Sequence, residues 1–501
     1  MLDILLLNVP QISLVYPPAA TSLLKSICEH NGYTARVVDY NLQLYNECSD
    51  TSLKQEFDQY FSLNDRTAVL SAPATEFLNN FLQQRIDEIL ELNPRWIGIS
   101  VFTFQCQLFT RTFLEKLRPL YAGKIVIGGA GISSAGIGAE QNDFGNFLLE
   151  QKLIDYYIRG EGDNNLIHLL QGDTEQPGIN NDNAIQIDNL DEIPIPNYDD
   201  VISLPYQYTT QSPQLPVTGS RGCVRKCSFC DIHIAWKKYR YRSGTSIAEE
   251  FIQHYERFGV TNFWFTDSLI NGSTKTFKEF CSTLLAYYKK HNLPERFFNW
   301  GGQWIVRDNR TLGPQHYELA ARAGMNGVAM GVESLSEQVR EHMKKGFSNA
   351  DLDFTLEQFH KHNLNCYFLI IVGYPTETEA NFEEIILKFK QYQKYALDGT
   401  IYGVNLGRTA SIDEGTPLWH DFHTMTGQSD ISNEGFDWIW PDNPTLTFKE
   451  RIRRRIRLQE ILMDLGYNIW NADSQLLKLK EAYDKIANRR YKIKIPLQIA
   501  A

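Results

Sequence analysis

The 501-residue sequence predicts an α/β chain: an N-terminal Rossmann-like, doubly wound parallel sheet, then a (β/α)6 partial TIM barrel, then a mainly helical C-terminal extension. Three observations predict this. Strand-length apolar runs alternate with helical periodicity in two separate series. The strands are continuously apolar rather than alternating, as in sheets covered on both faces. A stretch rich in Asn, Asp and Pro, without periodicity, separates the two series.

In the first series "ILLLNVP" is a strand and "AATSLLKSICEHNGY" a helix with a glycine stop. "TARVVDYN", "PRWIGISVFTF" and "KIVIGGAGISS" are further strands, the last two separated by the helical "QLFTRTFLEKLRPLY". "IDYYIRGEGDNN" adds a strand and a glycine-bearing loop. The linker "GDTEQPGINNDNAIQIDNLDEIPIPNYDD" places a domain boundary near residue 195, and its proline-punctuated end is expected to lie against a neighbouring domain.

The second series runs from about 212 to 418. Its strands are "LPVTGSR", "NFWFTDS", "RFFNWGGQW", "NGVAMGVES", "CYFLIIVGYP" and "TIYGVNLGR", joined by helical segments. The expected division is therefore 1–195, 196–420 and 421–501. In the extension, Thr447 and Glu450 form a capping box opening a basic helix that Gly466 stops, with Phe448, Ile452 and Ile456 as its buried stripe. The cations Lys449, Arg451, Arg453, Arg454, Arg455 and Arg457 are expected on a solvated face pairing with acidic surface. The alternative is a grip on an anionic substrate or partner. Tyr206, Tyr208, Trp236, Trp300, Trp304, Trp438 and Trp440 are read as core before pocket.

Apolar content of 43% and charged content of 22% are those of an ordinary globular protein. A formal net charge of -11 argues against a general nucleic-acid or membrane-surface binder, so no nucleic-acid partner is expected. "MLDILLLNVPQ" has Asp3 and no basic flank, and reads as a strand rather than a signal peptide. No run of roughly eighteen apolar residues predicts a membrane span. Cys28, Cys48, Cys106, Cys281 and Cys366 are scattered, which suits a reducing cytoplasm.

The chemistry concentrates in "GSRGCVRKCSFCDIHIAWKKYRYRS", where Cys223, Cys227 and Cys230 fall within eight residues. Structural zinc takes four ligands, so a fourth would have to be His233 or a distant group. A redox pair leaves Cys223 unexplained. An iron-sulfur cluster held by three thiolates, with one iron open, uses all three. Gly222 permits close backbone approach, Arg221, Arg225 and Lys226 offset negative charge, and Phe229 would shield the site. The loop follows the first barrel strand, where sites of such folds form.

Cys-x3-Cys-x2-Cys with an aromatic residue before the third cysteine resembles the radical S-adenosylmethionine (SAM) superfamily. The resemblance implies that the three cysteines hold a [4Fe-4S] cluster whose open iron chelates SAM. It further implies one-electron cleavage to a 5′-deoxyadenosyl radical, and a reductant such as flavodoxin or ferredoxin. Five more stretches carry it. "FTDS" suggests Asp267 beside the SAM amino group, and "WGGQWIVRD" makes Gln303 and Arg307 polar contacts. "MGVES" makes Glu333 a candidate for the ribose hydroxyls, while "VGYPTET" and "EGTPLW" match the fifth- and sixth-strand segments.

The N-terminal segments "VPQISLVYPPAATSLLKSICEHNGYTARVVDYN", "IGISVFTFQ", "IVIGGAGIS" and "YYIRGEGDNNLIHLL" resemble the cobalamin-binding domain that precedes many such enzymes, the class B architecture. Ser100, Thr103, Gly128, Gly129 and Gly131 are then the candidates to admit cobalamin. The bulky "VFTF" stands where small residues often occur, and "GGAGISS" does not match a dinucleotide fingerprint. The function this implies is cobalamin-dependent methylation of an unreactive carbon. Its alternatives are radical cyclisation, rearrangement or oxidation without methyl transfer, and a zinc-stabilised, non-catalytic binding module.

Overall fold

The computed structural model describes residues 2–62, 69–132, 143–208, 212–407, 409–428, 431, 436–469 and 480. The chain divides into two compact units, Met1–Val217 with Glu249–Trp264, and Thr218–Ala248 with Phe265–Ala501.

The first unit holds a parallel sheet of β1 (Ile4–Asn8), β2 (Ala35–Asp39), β3 (Trp96–Ser100), β4 (Lys124–Gly128) and β5 (Tyr156–Ile158). Their order is β2-β1-β3-β4-β5, so the chain reverses direction across the sheet between β1 and β3. Doubly wound sheets of this order take ligands in the crevice beyond that switch point. All five residues of β1 are buried, as continuously apolar strands require.

A segment for which the sequence offered no element supplies the helices Thr51–Ser62 and Ala72–Leu92. Ser71 caps the second by accepting from the Ala74 N–H at 3.3 Å, and Asn93, at φ 43°, ends it. Leu78, Phe81, Leu82, Ile86 and Ile89 bury one face at helical spacing. The end of the linker packs on this unit. The Asn197 N–H donates to Ser22 O at 3.0 Å, the Gln207 N–H to Leu14 O at 2.9 Å, and Tyr206 Oη to Asp39 at 2.8 Å.

A second sheet has six strands, β6 (Gln214–Val217), β9 (Asn262–Phe265), β10 (Asn299–Trp304), β11 (Met325–Glu333), β12 (Asn365–Ile370) and β13 (Ile401–Asn405), arranged in sequence order. The ladders from β10 to β13 are parallel, each crossover carrying at least one helix, which is the (β/α)6 series. Between β6 and β9 a small antiparallel pair, β7 (Ser220–Arg221) and β8 (Arg240–Tyr241), closes a loop. On β10 to β13 the register-linked Trp304, Met330, Phe368 and Val404 are buried, as are Trp300, Trp438 and Trp440. These aromatics are core.

The extension differs from expectation on its basic helix, Phe448–Asp464. Arg451, Arg454 and Arg455 are at most 5% exposed, so the predicted solvated face is turned inward. Ile452, Leu458 and Leu462 make the buried apolar stripe, while Phe448 and Ile456 are only half-buried. The cause is the network of hydrogen bonds and ion pairs these guanidiniums find within the chain. Arg451 donates to the carbonyls of Trp438, Leu446 and Phe436, and Arg454 to Glu377, Glu379 and Glu450. Arg453 and Arg457 keep the expected pairing with Glu450 and Glu383. Thr447 caps through the Glu450 N–H at 3.2 Å, but the Glu450 carboxylate pairs with Arg453 and Arg454.

Beyond Gly466 the chain turns back along the sheet edge. Val404 donates its N–H to Asn468 O at 2.8 Å, and Val404 and Ile469 form a parallel bridge. The free edge of β13 is covered there. The rest of the expected extension, 470–479 and 481–501, lies outside the described residues. No described helix is long and apolar enough to cross a membrane.

Candidate functional site

The three clustered cysteines lie in the loop between β7 and β8, just past the C-terminal end of β6. Gly222 has φ +91°, and a Cβ there would stand 2.8 Å from Lys238 O, so this crossing requires glycine. A turn from the Cys230 N–H to Cys227 O at 3.2 Å sets the second and third cysteines, and the short helix Ile232–Ala235 follows. The Arg225 N–H donates to Cys223 Sγ at 3.4 Å. All three thiols are free; Cys227 is buried, and Cys223 and Cys230 are half-buried.

Burial pushes the thiols of Cys227 and Cys230 up, Cys230 to about 11, while Lys345 opposes the rise at Cys227. Deprotonation therefore needs positive charge from a bound metal or its surroundings. Among the described residues, no three His, Cys, Asp or Glu side chains converge on a single-ion site. A four-iron cluster differs, because each cysteine ligates its own iron. The donor set therefore fits a cluster with one open iron.

A serine holds this loop. Ser228 is buried, with its N–H on Met343 O at 3.1 Å and its carbonyl accepting from the Leu418 N–H at 2.8 Å. Ser228 Oγ donates to His342 O at 3.1 Å and meets Tyr374 Oη at 2.8 Å. Phe229 packs on the cluster that includes Met343, Tyr374, Leu418 and Trp438, with Lys345 Nζ 5.9 Å from its ring centroid. Replacing Tyr374 with Phe is expected to cost about 1 kcal/mol, one buried hydrogen bond. It should also speed loss of a reconstituted cluster to an iron chelator, measured by decay of its colour.

Asp267 is buried at the root of the loop. It accepts the Gly219 N–H at 2.8 Å and Ser220 Oγ at 2.9 Å, and burial raises its carboxyl to about 7. A small cavity beside it is lined by Ser220, Tyr239, Phe277 and Trp300 and by none of the cysteines. Both Asp267 oxygens thus hold this chain's own loop.

Glu333 ends β11 at φ +65°, after a register shift against β12, and its carbonyl accepts from the Ile371 N–H at 2.8 Å. Its side chain meets Lys345 Nζ at 3.2 Å. A non-glycine residue in this conformation is strained, a feature concentrated at ligand sites. Gln303 is exposed, and the register aligns it with Ala329, Tyr367 and Gly403 on the face opposite the buried Trp304 row. Arg307 donates to Gly272 O at 2.6 Å, and its buried Nε has no partner. Burial and the nearby Arg225 lower its pKa, and Arg225 donates to Val306 O at 3.3 Å. Two guanidiniums thus share the neighbourhood of Cys223, a place suited to anionic charge. Lys345, Ser228 and Tyr374 were not singled out in the sequence.

In the first unit, Ser100 ends β3 and pairs with Asn8 and Gly128. Gly129 has φ +108°, and a Cβ there would stand 2.5 Å from Val101 O. One on Gly131 would stand 2.4 Å from Thr103 O. These glycines admit the chain's own Val101–Thr103 segment, whereas Gly128 is less crowded, its nearest neighbour being Ile158 O at 3.6 Å. Phe102 is 57% exposed just past β3. Near the start of the helix Ala19–His30, after β1, Thr21 Oγ1 and Ser22 Oγ are buried without hydrogen-bond partners, as is Gln11 Oε1. Unpaired hydroxyls beside a switch point fit a polar ligand such as a nucleotide tail.

Residues 217–389 match the radical SAM superfamily model. A bacteriochlorophyllide d C-12(1)-methyltransferase of Chlorobaculum tepidum is 27% identical over 34% of this chain and 36% of its own. An anaerobic magnesium-protoporphyrin IX monomethyl ester cyclase of Synechocystis sp. is 23% identical over 50% and 51%. An uncharacterized methyltransferase of Pyrococcus horikoshii is 27% identical over 54% and 59%. The matches thus span 36% to 59% of these relatives' length.

Among solved structures, the radical SAM methyltransferase TsrM of Kitasatospora setae, with tryptophan and a SAM analogue, aligns over 97% of this chain and 99% of its own. The TM-score is 0.60 at 15% identity. The cobalamin-dependent SAM radical enzyme OxsB, with aqua-cobalamin, aligns over 97% and 72%, with a TM-score of 0.65 at 14% identity. At such identities the likeness is one of fold.

Proposed function

From a chain whose residues 217–389 form a radical SAM domain, we propose a radical SAM enzyme that uses cobalamin to methylate an unreactive carbon. The observation that carries the reading is the cysteine loop: three free thiols within eight residues, rooted beyond the first barrel strand. When loaded, the site would supply a 5′-deoxyadenosyl radical from SAM at a [4Fe-4S] cluster, and cobalamin would supply a transferable methyl group.

The chain's residues would bind and orient these groups. Cys223, Cys227 and Cys230 hold the cluster, and Arg225, Arg307 and Lys345 balance its negative charge. Phe229, Gln303, Arg307 and Glu333 line the SAM position, while Asp267 fixes the loop's root rather than reaching the amino group. Residues 1–195 would serve cobalamin through Ser100, Thr103 and Gly128, with Thr21 and Ser22 as further donors. Residues 196–420 would serve the radical step, flanked by the 421–501 extension. A flavodoxin or ferredoxin would donate the electron, and the reducing cytoplasm suits the chemistry.

A second reading, radical cyclisation or oxidation without methyl transfer, is favoured by Phe102. Its exposed ring stands at the switch point where a corrin would approach. Anaerobic reconstitution with iron, sulfide and SAM tests the shared claim. The expected product is 5′-deoxyadenosine. None from brown, fully loaded protein would overturn the radical reading, and a colourless zinc protein would favour the binding module. Labelled methyl in a product from cell extract, only after cobalamin loading, separates methylation from the second reading.

A further inference from the structure

Ser228 holds the cysteine loop, and its partner Tyr374 sits in the loop after β12, which the C-terminal helix grips in turn. Gly373 has φ +76°, and a Cβ there would stand 2.5 Å from Arg451 Cγ and 2.8 Å from its Cδ. The apolar stem of Arg451 therefore lies on the backbone just before Tyr374, an approach that requires glycine. Its guanidinium continues over Trp438, with Cζ 3.6 Å from the ring centroid. Nη1 donates to Trp438 O at 3.1 Å and Leu446 O at 2.9 Å, and Nη2 to Phe436 O. The same segment reaches back to the loop, where Asn443 Nδ2 donates to the carbonyls of Pro375 and Glu377, each at 3.0 Å. Trp438 Nε1 donates to Ala410 O at 3.2 Å, and its ring belongs to the apolar cluster on which Phe229 packs.

We propose that Arg451 is a positioning residue for the cysteine loop. Its stem on Gly373 and its guanidinium on Trp438 hold Tyr374 against Ser228, and so set how firmly the three thiols retain their cluster. The inference rests on the cluster assignment above and goes beyond it, because it gives the C-terminal extension a part in the site. Two routes of contact carry it. Along the first, Arg451 meets Gly373, and the next residue, Tyr374, meets Ser228 Oγ at 2.8 Å. Along the second, Trp438 shares one buried cluster with Tyr374, and Phe229 packs against that cluster. Both routes end between Cys227 and Cys230. Thiols placed in advance lose less freedom on ligation than mobile ones, so a firmly held loop keeps its cluster longer. Arginine suits the task. A lysine would cover Gly373, but it has no planar fork to bridge three carbonyls.

The test uses the full chain, anaerobically reconstituted with iron and sulfide. Loss of brown colour to an iron chelator is timed, and the electron paramagnetic resonance spectrum of the reduced cluster is recorded. Arg451→Met keeps a stem and loses the fork. It is expected to speed the colour loss about fivefold, the scale of one buried hydrogen bond passed on to the loop. Its spectrum should broaden as the thiolates take up several arrangements, and Arg451→Lys should fall between it and the unaltered protein. Arg455→Met is the control. Arg455 is equally buried one turn on, but it meets Gly407 O and Gln459 rather than the loop after β12. Its variant should be weakened towards denaturant while colour decay and spectrum stay as they were. In a double-mutant cycle, Arg451→Lys should add little once Tyr374→Phe has removed the hydroxyl through which Arg451 acts.

Fully additive effects in that cycle would overturn the proposal, as would an Arg455→Met protein that sheds its cluster as fast as Arg451→Met. Unchanged decay in both Arg451 variants would overturn it too. Should Arg451→Met fail to fold, Arg451→Lys and the cycle decide. If the unaltered chain forms no brown cluster, the reading of the site itself falls. A cluster that forms and yet ignores Arg451 sinks this inference alone.

Discussion

Cys227→Ala protein, reconstituted anaerobically, is expected to remain colourless and to form no 5′-deoxyadenosine above the protein-free background. The reasoning is one of ligand count. Three thiolates are the whole protein contribution to the proposed cluster, so removing one leaves two irons without a protein anchor. The fold should survive. Cys227 is a small side chain at 7% exposure, and its loss to alanine costs about 1 kcal/mol on the scale of one buried methyl-sized group. His233→Ala serves as the paired control. His233 lies in the helix Ile232–Ala235 and is not one of the three loop thiols proposed to anchor the cluster, so its replacement should leave the colour intact. Cys281→Ala, at a fully buried thiol far from the loop in sequence, should do likewise. Loss of colour in the His233 variant, with colour retained at Cys227→Ala, would reassign the third cluster ligand from Cys227 to His233, whereas an unaltered protein that stays colourless and holds zinc would return the site to a zinc-type assignment.

The parallel strands were legible because a strand buried on both faces must be apolar at every position, which leaves an unbroken run in the sequence. The cysteine loop was legible because its ligands are contiguous. What was not legible depends on distant partners. Ser228 meets His342 and Tyr374, 114 and 146 residues on, and no local pattern marks such a pairing. Asp267 stands in the stretch that the resemblance indicated, yet its carboxylate faces Gly219 and Ser220. The strain at Glu333 is likewise invisible in "MGVES", because a backbone angle depends on how β11 leaves the sheet. The basic helix misled for a related reason. A run of arginines usually marks a solvated surface. Here its buried members meet carbonyls from the Phe436–Leu446 segment and a carboxylate 77 residues away.

That carboxylate yields the second large effect. Glu377 is fully buried in the loop after β12 and lies 2.9 Å from Arg454 Nη1. Burial raises its carboxyl to about 7 even though Arg454 pulls the other way. Arg454→Leu is expected to destabilise the protein by about 3–5 kcal/mol at pH 8, because a buried charge loses its partner. The pH dependence follows in sign. A carboxyl whose folded pKa lies above its unfolded value favours folding below the unfolded pKa, and that contribution fades as pH rises through the folded pKa. Removing Arg454 raises the folded pKa further, so the variant's deficit should be largest at pH 8 and shrink towards pH 5. Glu377→Gln in the Arg454→Leu background removes the titrating charge, and should restore part of the stability and flatten the profile. Denaturant unfolding at pH 5, 6.5 and 8 measures all three proteins. A deficit that does not change with pH would mean that Arg454 acts through its contacts with the carbonyls of Glu377 and Thr378, at 3.0 and 3.2 Å, rather than through the buried ion pair.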